Sequence, residues 1–132
     1  MKMFFVTAAV FIALDFLWLG LLMPSFYNAQ LGALARRNGP SLTPIWWAAV
    51  LVYLMIPAGL QLFVLPRSQT LAGAALIGAV FGVILNGVYD LTNYSTLAGW
   101  PLTLALVDVA WGGVVCGLTS ATAAAVSRHL QS

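Results

Sequence analysis

The chain has no glutamate, one cysteine, one histidine and only 6% charged residues, and each shortage excludes something. Soluble domains carry roughly 25% charged residues, so a water-exposed surface cannot be assembled from this composition. The acids are Asp15, Asp90 and Asp108 alone. Cys116 cannot form an intramolecular disulfide, and among Val114, Val115 and Leu118 it reads as a small buried hydrophobe. His129 stands alone near the carboxyl end, so no histidine or cysteine cluster suggests a metal, and neither metal nor cofactor is expected. No nucleotide-binding glycine loop and no Ser-His-Asp arrangement is present. Lys2, Arg36, Arg37, Arg67 and Arg128 flank the apolar runs, so the net charge of +2 describes membrane edges and no nucleic-acid partner.

What the chain has instead is apolar length. At 62% hydrophobic residues and a mean hydropathy of +0.99, it reads as an integral membrane protein, all-α. A helix needs about 20 residues to cross a hydrocarbon core of about 30 Å. Residues 3–23, 44–65, 70–90 and 101–126 meet that length. The first could be mistaken for a signal peptide, but its length, its Asp15 and the lack of a small-x-small cleavage site predict that it is retained. The expectation is one transmembrane domain over 1–132, an up-down four-helix bundle with short links. Residues 25–37 read as a short interfacial helix, stopped by Asn38, Gly39 and Pro40, with Arg36 and Arg37 in its last turn. Residues 91–100 read as a polar third connection. Lys2, Arg67 and Arg128 would share one side of the membrane, favouring cytoplasmic termini and a multi-pass place in the inner membrane.

A carboxylate in hydrocarbon costs on the order of 2.5–3.5 kcal/mol even on lenient insertion scales, so the three aspartates direct attention to a site. Asp15 lies eight residues before the end of the first span, and Asp108 seven residues after the start of the fourth. In a hairpin arrangement those ends share a membrane face, which puts both carboxyls about 10–12 Å below it at 1.5 Å per residue. Asp90 is expected to end the third span at that same face. The surroundings of the deep pair match: Asp15-Phe16-Leu17-Trp18-Leu19-Gly20 and Asp108-Val109-Ala110-Trp111-Gly112-Gly113 both read D-x-x-W-x-G. Spacing i, i+3 places each Asp and Trp on one helix face. In oppositely directed spans the two copies would be related by a local pseudo-two-fold axis in the membrane plane.

The third span adds a stripe of Asn86, Asp90 and Asn93 if its helix continues a turn, with Gly78 and Gly82 extending it inward. Gly78-x-x-x-Gly82 and Gly113-x-x-x-Gly117 are expected to be close helix contacts. Trp46, Trp47 and Trp100 read as interfacial anchors, and Pro57 with Gly59 as a kink or packing irregularity.

Together, Leu14 to Gly20, Phe26-Tyr27, Tyr89-Asp90-Leu91-Thr92-Asn93, Gly99-Trp100-Pro101 and Val107 to Gly112 resemble the DUF2177 family, small bacterial four-span membrane proteins of unknown function. The resemblance covers nearly the whole chain and directs attention to Asp15, Trp18, Tyr89, Asp90, Thr92, Asn93, Trp100, Asp108 and Trp111. Position 86 departs from the family pattern, which carries an aromatic residue there. Family members sit beside lipid-modifying enzymes in bacterial genomes, and the resemblance therefore implies a lipid-associated role.

Carboxyls gathered in low dielectric cannot all be ionised. The expected function is binding of a lipid or small amphipathic ligand in an intramembrane pocket lined by Asp15, Trp18, Tyr89, Asp90, Asn93, Asp108 and Trp111. One alternative is a lipid-modifying enzyme that uses the paired aspartates as acid and base. Another is an accessory subunit of a larger membrane complex. That subunit would pack against its complex through the glycine faces; separately, the bland reading of Asp15 and Asp108 is that they are protonated, bond to an indole N–H, a tyrosine or a backbone carbonyl, and hold helices together. With four spans in 14.0 kDa, a transport path would call for a homo-oligomer.

Overall fold

In a computed structural model, which describes residues 2–38, 41–42 and 44–131, helices α1 (Lys2–Phe16), α3 (Trp46–Gly59), α4 (Leu71–Thr96) and α5 (Leu102–Gln131) form the body of the protein. Leu17–Leu22 extends α1 as a π-helical turn. Leu60–Val64 and Leu65–Arg67 extend α3 as π and 3-10 turns. Four segments are thus long and apolar enough to cross a membrane: Lys2–Leu22, Trp46–Arg67, Leu71–Thr96 and Leu102–Leu130. Phe5, Leu21, Trp47, Met55, Leu62, Leu76 and Val88 are all exposed on them, an arrangement that water would penalise and lipid tails accept. The fifth helix is the most enclosed, with 44% of its most apolar window buried against 17% in each of the other three spans.

Local chemistry sets the boundaries. Thr70 caps α4 by accepting the Gly73 N–H at 2.8 Å, and Pro24, lacking an N–H to contribute, opens α2 (Pro24–Leu31) at a first-turn position. Pro101 precedes α5 and accepts the Ala105 N–H at 3.2 Å. Pro57 lies inside α3 and cannot donate to the Tyr53 carbonyl one turn back. The winding then widens into the π turn at Leu60, which is how the irregularity expected at Pro57 is expressed. Gly59 gives Phe81 of α4 its seat, since a Cβ there would lie 2.7 Å from the ring.

Two expected boundaries are corrected. The helix α4 does not end at Asp90 but runs to Thr96, so Asp90 lies within the span and the connection reduces to a turn in which Trp100 N–H donates to Leu97 C=O at 3.3 Å. The helix after the first span is shorter than 25–37: it closes at Leu31, followed by a 3-10 turn at Gly32–Leu34. Gly32 is the reason, because its φ of 52° and ψ of −125° suit a residue without a Cβ. Arg36 and Arg37 therefore do not lie in a last helical turn. Arg37–Asn38 instead pairs antiparallel with Ser41–Leu42 as β1 and β2. Gly39 and Pro40, expected as helix stops, lie outside the described residues. Gly32→Ala should cost about 1 kcal/mol of stability through backbone strain, read as a lowered thermal midpoint in detergent.

Helices α4 and α5 pack through glycine. As α4 advances from Gly78 to Asn86, its partners in α5 recede from Ser120 to Gly112, so the two run antiparallel. A Cβ on Gly117 would lie 3.0 Å from the Ala75 carbonyl oxygen, and one on Gly113 would lie 2.9 Å from Val83 Cγ2. The expected glycine contacts are thus helix–helix contacts. The α1–α3 pair is also antiparallel, since Thr7 hydroxyl meets Gln61 Oε1 at 3.0 Å while Asp15 meets Tyr53. Phe11, Leu60, Val64, Val115 and Cys116 form the apolar centre between these pairs, where Cys116 is the small buried hydrophobe anticipated.

Candidate functional site

Above that apolar centre lies a layer of aromatic rings and carboxyls. The indoles of Trp18, on the π turn after α1, and Trp111, on α5, stack face to face with centroids 4.4 Å apart and planes 5° from parallel. Trp111 Nε1 donates to Asp15 Oδ1 at 2.9 Å, and Tyr53 hydroxyl donates to Asp15 Oδ2 at 2.7 Å. On the other side, Trp18 Nε1 donates to the Tyr27 hydroxyl at 2.9 Å, which donates to Asp108 Oδ1 at 3.0 Å.

The two D-x-x-W-x-G copies are therefore interlocked. Each tryptophan reaches toward the aspartate of the other copy, Trp111 directly and Trp18 through one hydroxyl. Each aspartate also accepts a tyrosine O–H, from Tyr53 for Asp15 and from Tyr27 for Asp108. The i, i+3 spacing explains the local part, since both members of each pair face the same neighbour. The inserted hydroxyl breaks the two-fold likeness, and it comes from α2. Tyr27 is 8% exposed, so the short helix carries a side chain back into the bundle. Burial is the main cause of a Tyr27 phenol held above its ordinary titration range; the charge of Asp108 adds to this and the Trp18 bond opposes it. The hydroxyl remains a donor. Tyr27→Phe keeps the ring and deletes the bridge, and should cost about 1 kcal/mol of stability with a change in tryptophan emission as Trp18 loses its acceptor.

Asn86, whose place in the site the family pattern did not support, donates Nδ2 to the Asp108 carbonyl at 2.9 Å and ties α4 to α5 at this level. Asp90, one helical turn further, is fully buried, and neither carboxyl oxygen has a hydrogen-bond partner among the described residues. Its electrostatic neighbours are Asp108 and the Trp100 indole, whose Nε1 is likewise buried and unpartnered. Trp100, expected as an interfacial anchor, is half-buried in the turn after α4, with Tyr89 edge-on to it at 6.0 Å. Trp46 and Trp47 are exposed at the start of α3, where anchors are expected.

Of the seven residues expected at the site, Asp15, Trp18, Asp108 and Trp111 form one network and Asp90 adjoins it. Tyr89 faces Trp100 and is 55% exposed. Asn93 is half-buried and contributes its carbonyl to the Leu97 N–H; its side chain makes no bond to this network among the described residues. Tyr27 and Tyr53 were missed as members. A signal existed for Tyr53, which with Gln61 supplies the polar side chains of an otherwise apolar second span. For Tyr27 the signal was weaker, because nothing local announces that its helix folds back.

Among the described residues no group of three or more His, Cys, Asp or Glu could hold a metal ion. A family model described as a predicted membrane protein, DUF2177, matches residues 1–125. No curated protein and no solved structure matches the chain.

Proposed function

We propose that this chain, which belongs to the DUF2177 family of predicted membrane proteins, binds an amphipathic or lipid-like small molecule within the membrane. The ligand's polar end would be received by Asp15, Trp18, Tyr89, Asp90, Asn93, Asp108 and Trp111. The protein would lie in the bacterial inner membrane with its termini in the cytoplasm, as the distribution of Lys2, Arg67 and Arg128 favours.

The observation that carries this reading is the stacked Trp18–Trp111 pair between two carboxyls. Hydrogen bonds in membrane bundles contribute about 0.6 kcal/mol on average, whereas a charged carboxyl at depth costs several times that. Two such groups are a poor means of holding helices already locked by glycine contacts, and a good means of orienting a polar ligand. An open groove of about 610 Å³ lies alongside, lined by Ala13, Phe16, Leu17, Gly20 and Leu21 on the segment that bears Asp15 and Trp18. Its apolar lining suits an acyl chain whose head reaches the carboxyl layer.

The structural reading has its own support, since both oxygens of Asp15 already have partners within the fold. The two readings separate on bound lipid. Lipid extracted from the purified protein should contain one enriched species, and extracts of cells with and without the gene should otherwise agree. A modified lipid that vanishes without the protein would instead point to catalysis by the paired aspartates. An extract from the purified protein that mirrors the bulk membrane would favour the accessory-subunit reading.

A further inference from the structure

We propose that Asp90 and Asp108 hold one proton between them, with Asp90 the protonated member, and that this pair is the proton-exchange site of the protein. The argument begins with what surrounds Asp90. It is 0% exposed, and both carboxyl oxygens are without a hydrogen-bond partner among the described residues. Ionised carboxylates in such a setting require a cation, several donors or a metal, and in their absence the group takes up a proton. No lysine, arginine or histidine occurs between Arg67 and Arg128, or between Lys2 and Arg36, so neither α4, α5 up to Ser127, nor the first span supplies a cation.

Among the described residues, few groups face Asp90. From α5 comes Asp108, a like charge that disfavours a second ionised carboxyl. The turn after α4 brings Trp100, whose indole N–H is itself unpartnered and is one donor against two oxygens. On its own helix the adjacent Tyr89 packs edge-on to Trp100. Behind Asp108 stands Tyr27, which already donates to Asp108 Oδ1. Asp108 accepts that bond and is only half-buried. Asp90, fully enclosed and without a donor bond among the described residues, is the member that holds the proton.

The location gives the proton a use. Asp90 lies six residues before the end of α4 at Thr96, about 9 Å along the helix at 1.5 Å per residue, with Trp100 of the following turn beside it. On its inner side Asp108 continues into the chain of hydroxyl and indole that ends at the stacked tryptophans. A proton loaded at Asp90 thereby sets the charge of the layer that we assign to the ligand, and binding and protonation become linked. The proton site itself stands on the burial and pairing of Asp90 and does not depend on which ligand binds, or whether one does.

The small acid complement makes the test clean. With three side-chain carboxyls and no glutamate, the protein labelled with 13C at the aspartate side-chain carboxyl and placed in bilayer nanodiscs should show one protonated-carboxyl stretch by infrared spectroscopy at neutral pH. That band should be lost in Asp90→Asn, shifted in Asp108→Asn and unchanged in Asp15→Asn. A neutral amide replacing a neutral acid should also leave the thermal midpoint of Asp90→Asn at or above that of the native chain. Absence of any such band in the native protein would overturn the proposal, with no variant needed. A band that survives Asp90→Asn, or that disappears in Asp15→Asn, would also overturn it by assigning the proton elsewhere.

Discussion

Gly82→Ala should separate the fourth and fifth helices and cost about 3 kcal/mol, at the upper end of overpacking penalties. A Cβ at this position would collide with the Gly112 carbonyl oxygen, and would lie 2.6 Å from the Gly112 carbonyl carbon and 2.8 Å from Cys116 Cβ. The first two obstacles are backbone, so no rotamer change relieves them, and α5 must move bodily. Moving α5 disturbs Asn86, which packs on Gly112 and donates to the Asp108 carbonyl, so the carboxyl layer loosens with the interface. The internal control is Gly87→Ala, five residues along the same helix. Nothing lies within 4 Å of a Cβ at Gly87, and alanine there should be neutral or stabilising by up to about 1 kcal/mol. Reversible unfolding in mixed micelles measures both. Equal effects at positions 82 and 87 would mean that the α4–α5 contact does not set the stability.

The second large effect concerns Asp15 and depends on what replaces it. Asp15→Ala leaves the half-buried Tyr53 hydroxyl and Trp111 indole N–H without their acceptor, at about 1 kcal/mol or more for each donor. Asp15→Asn keeps one oxygen for the indole and offers an amide that the Tyr53 hydroxyl can accept from, so it should stay within about 1 kcal/mol of the native chain. Stability should therefore fall steeply in the alanine variant and little in the asparagine variant. Ligand retention should fall in both, by tenfold or more, because the amide lacks the charge. Such a split between stability and retention is what a binding site predicts and what helix glue alone does not. If retention tracked stability across the two variants, the aspartate would be structural.

The sequence was most legible where a physical cost had to be met along one segment. Apolar runs against a fixed bilayer thickness gave the four spans, and the glycine spacings gave the close α4–α5 contact. The repeated D-x-x-W-x-G pattern gave the pairing of Asp15 and Asp108 with Trp18 and Trp111, though not the exchange in which each tryptophan turns toward the other copy's aspartate. Boundaries were less legible. Asp90, a polar residue near the end of an apolar run, reads as a terminus, yet α4 continues because Leu91 to Thr96 contains no proline or glycine to stop it. Gly32 does not read as a stop, because the positive-φ requirement at one glycine is not visible until the chain turns there. Tyr27 belongs to the same class: its reach across to Asp108 is set by where α2 folds back, a tertiary event with no periodic trace in the sequence.

The most direct test of ligand binding is native mass spectrometry of the gently purified protein beside Asp15→Asn and Asp108→Asn. The native chain should carry a discrete additional mass in the range of a lipid or small amphiphile, and both variants, folded and in the same oligomeric state, should lose it. A native chain that flies bare, or variants that keep the same adduct, would contradict the binding site and leave the carboxyl layer as a device of packing.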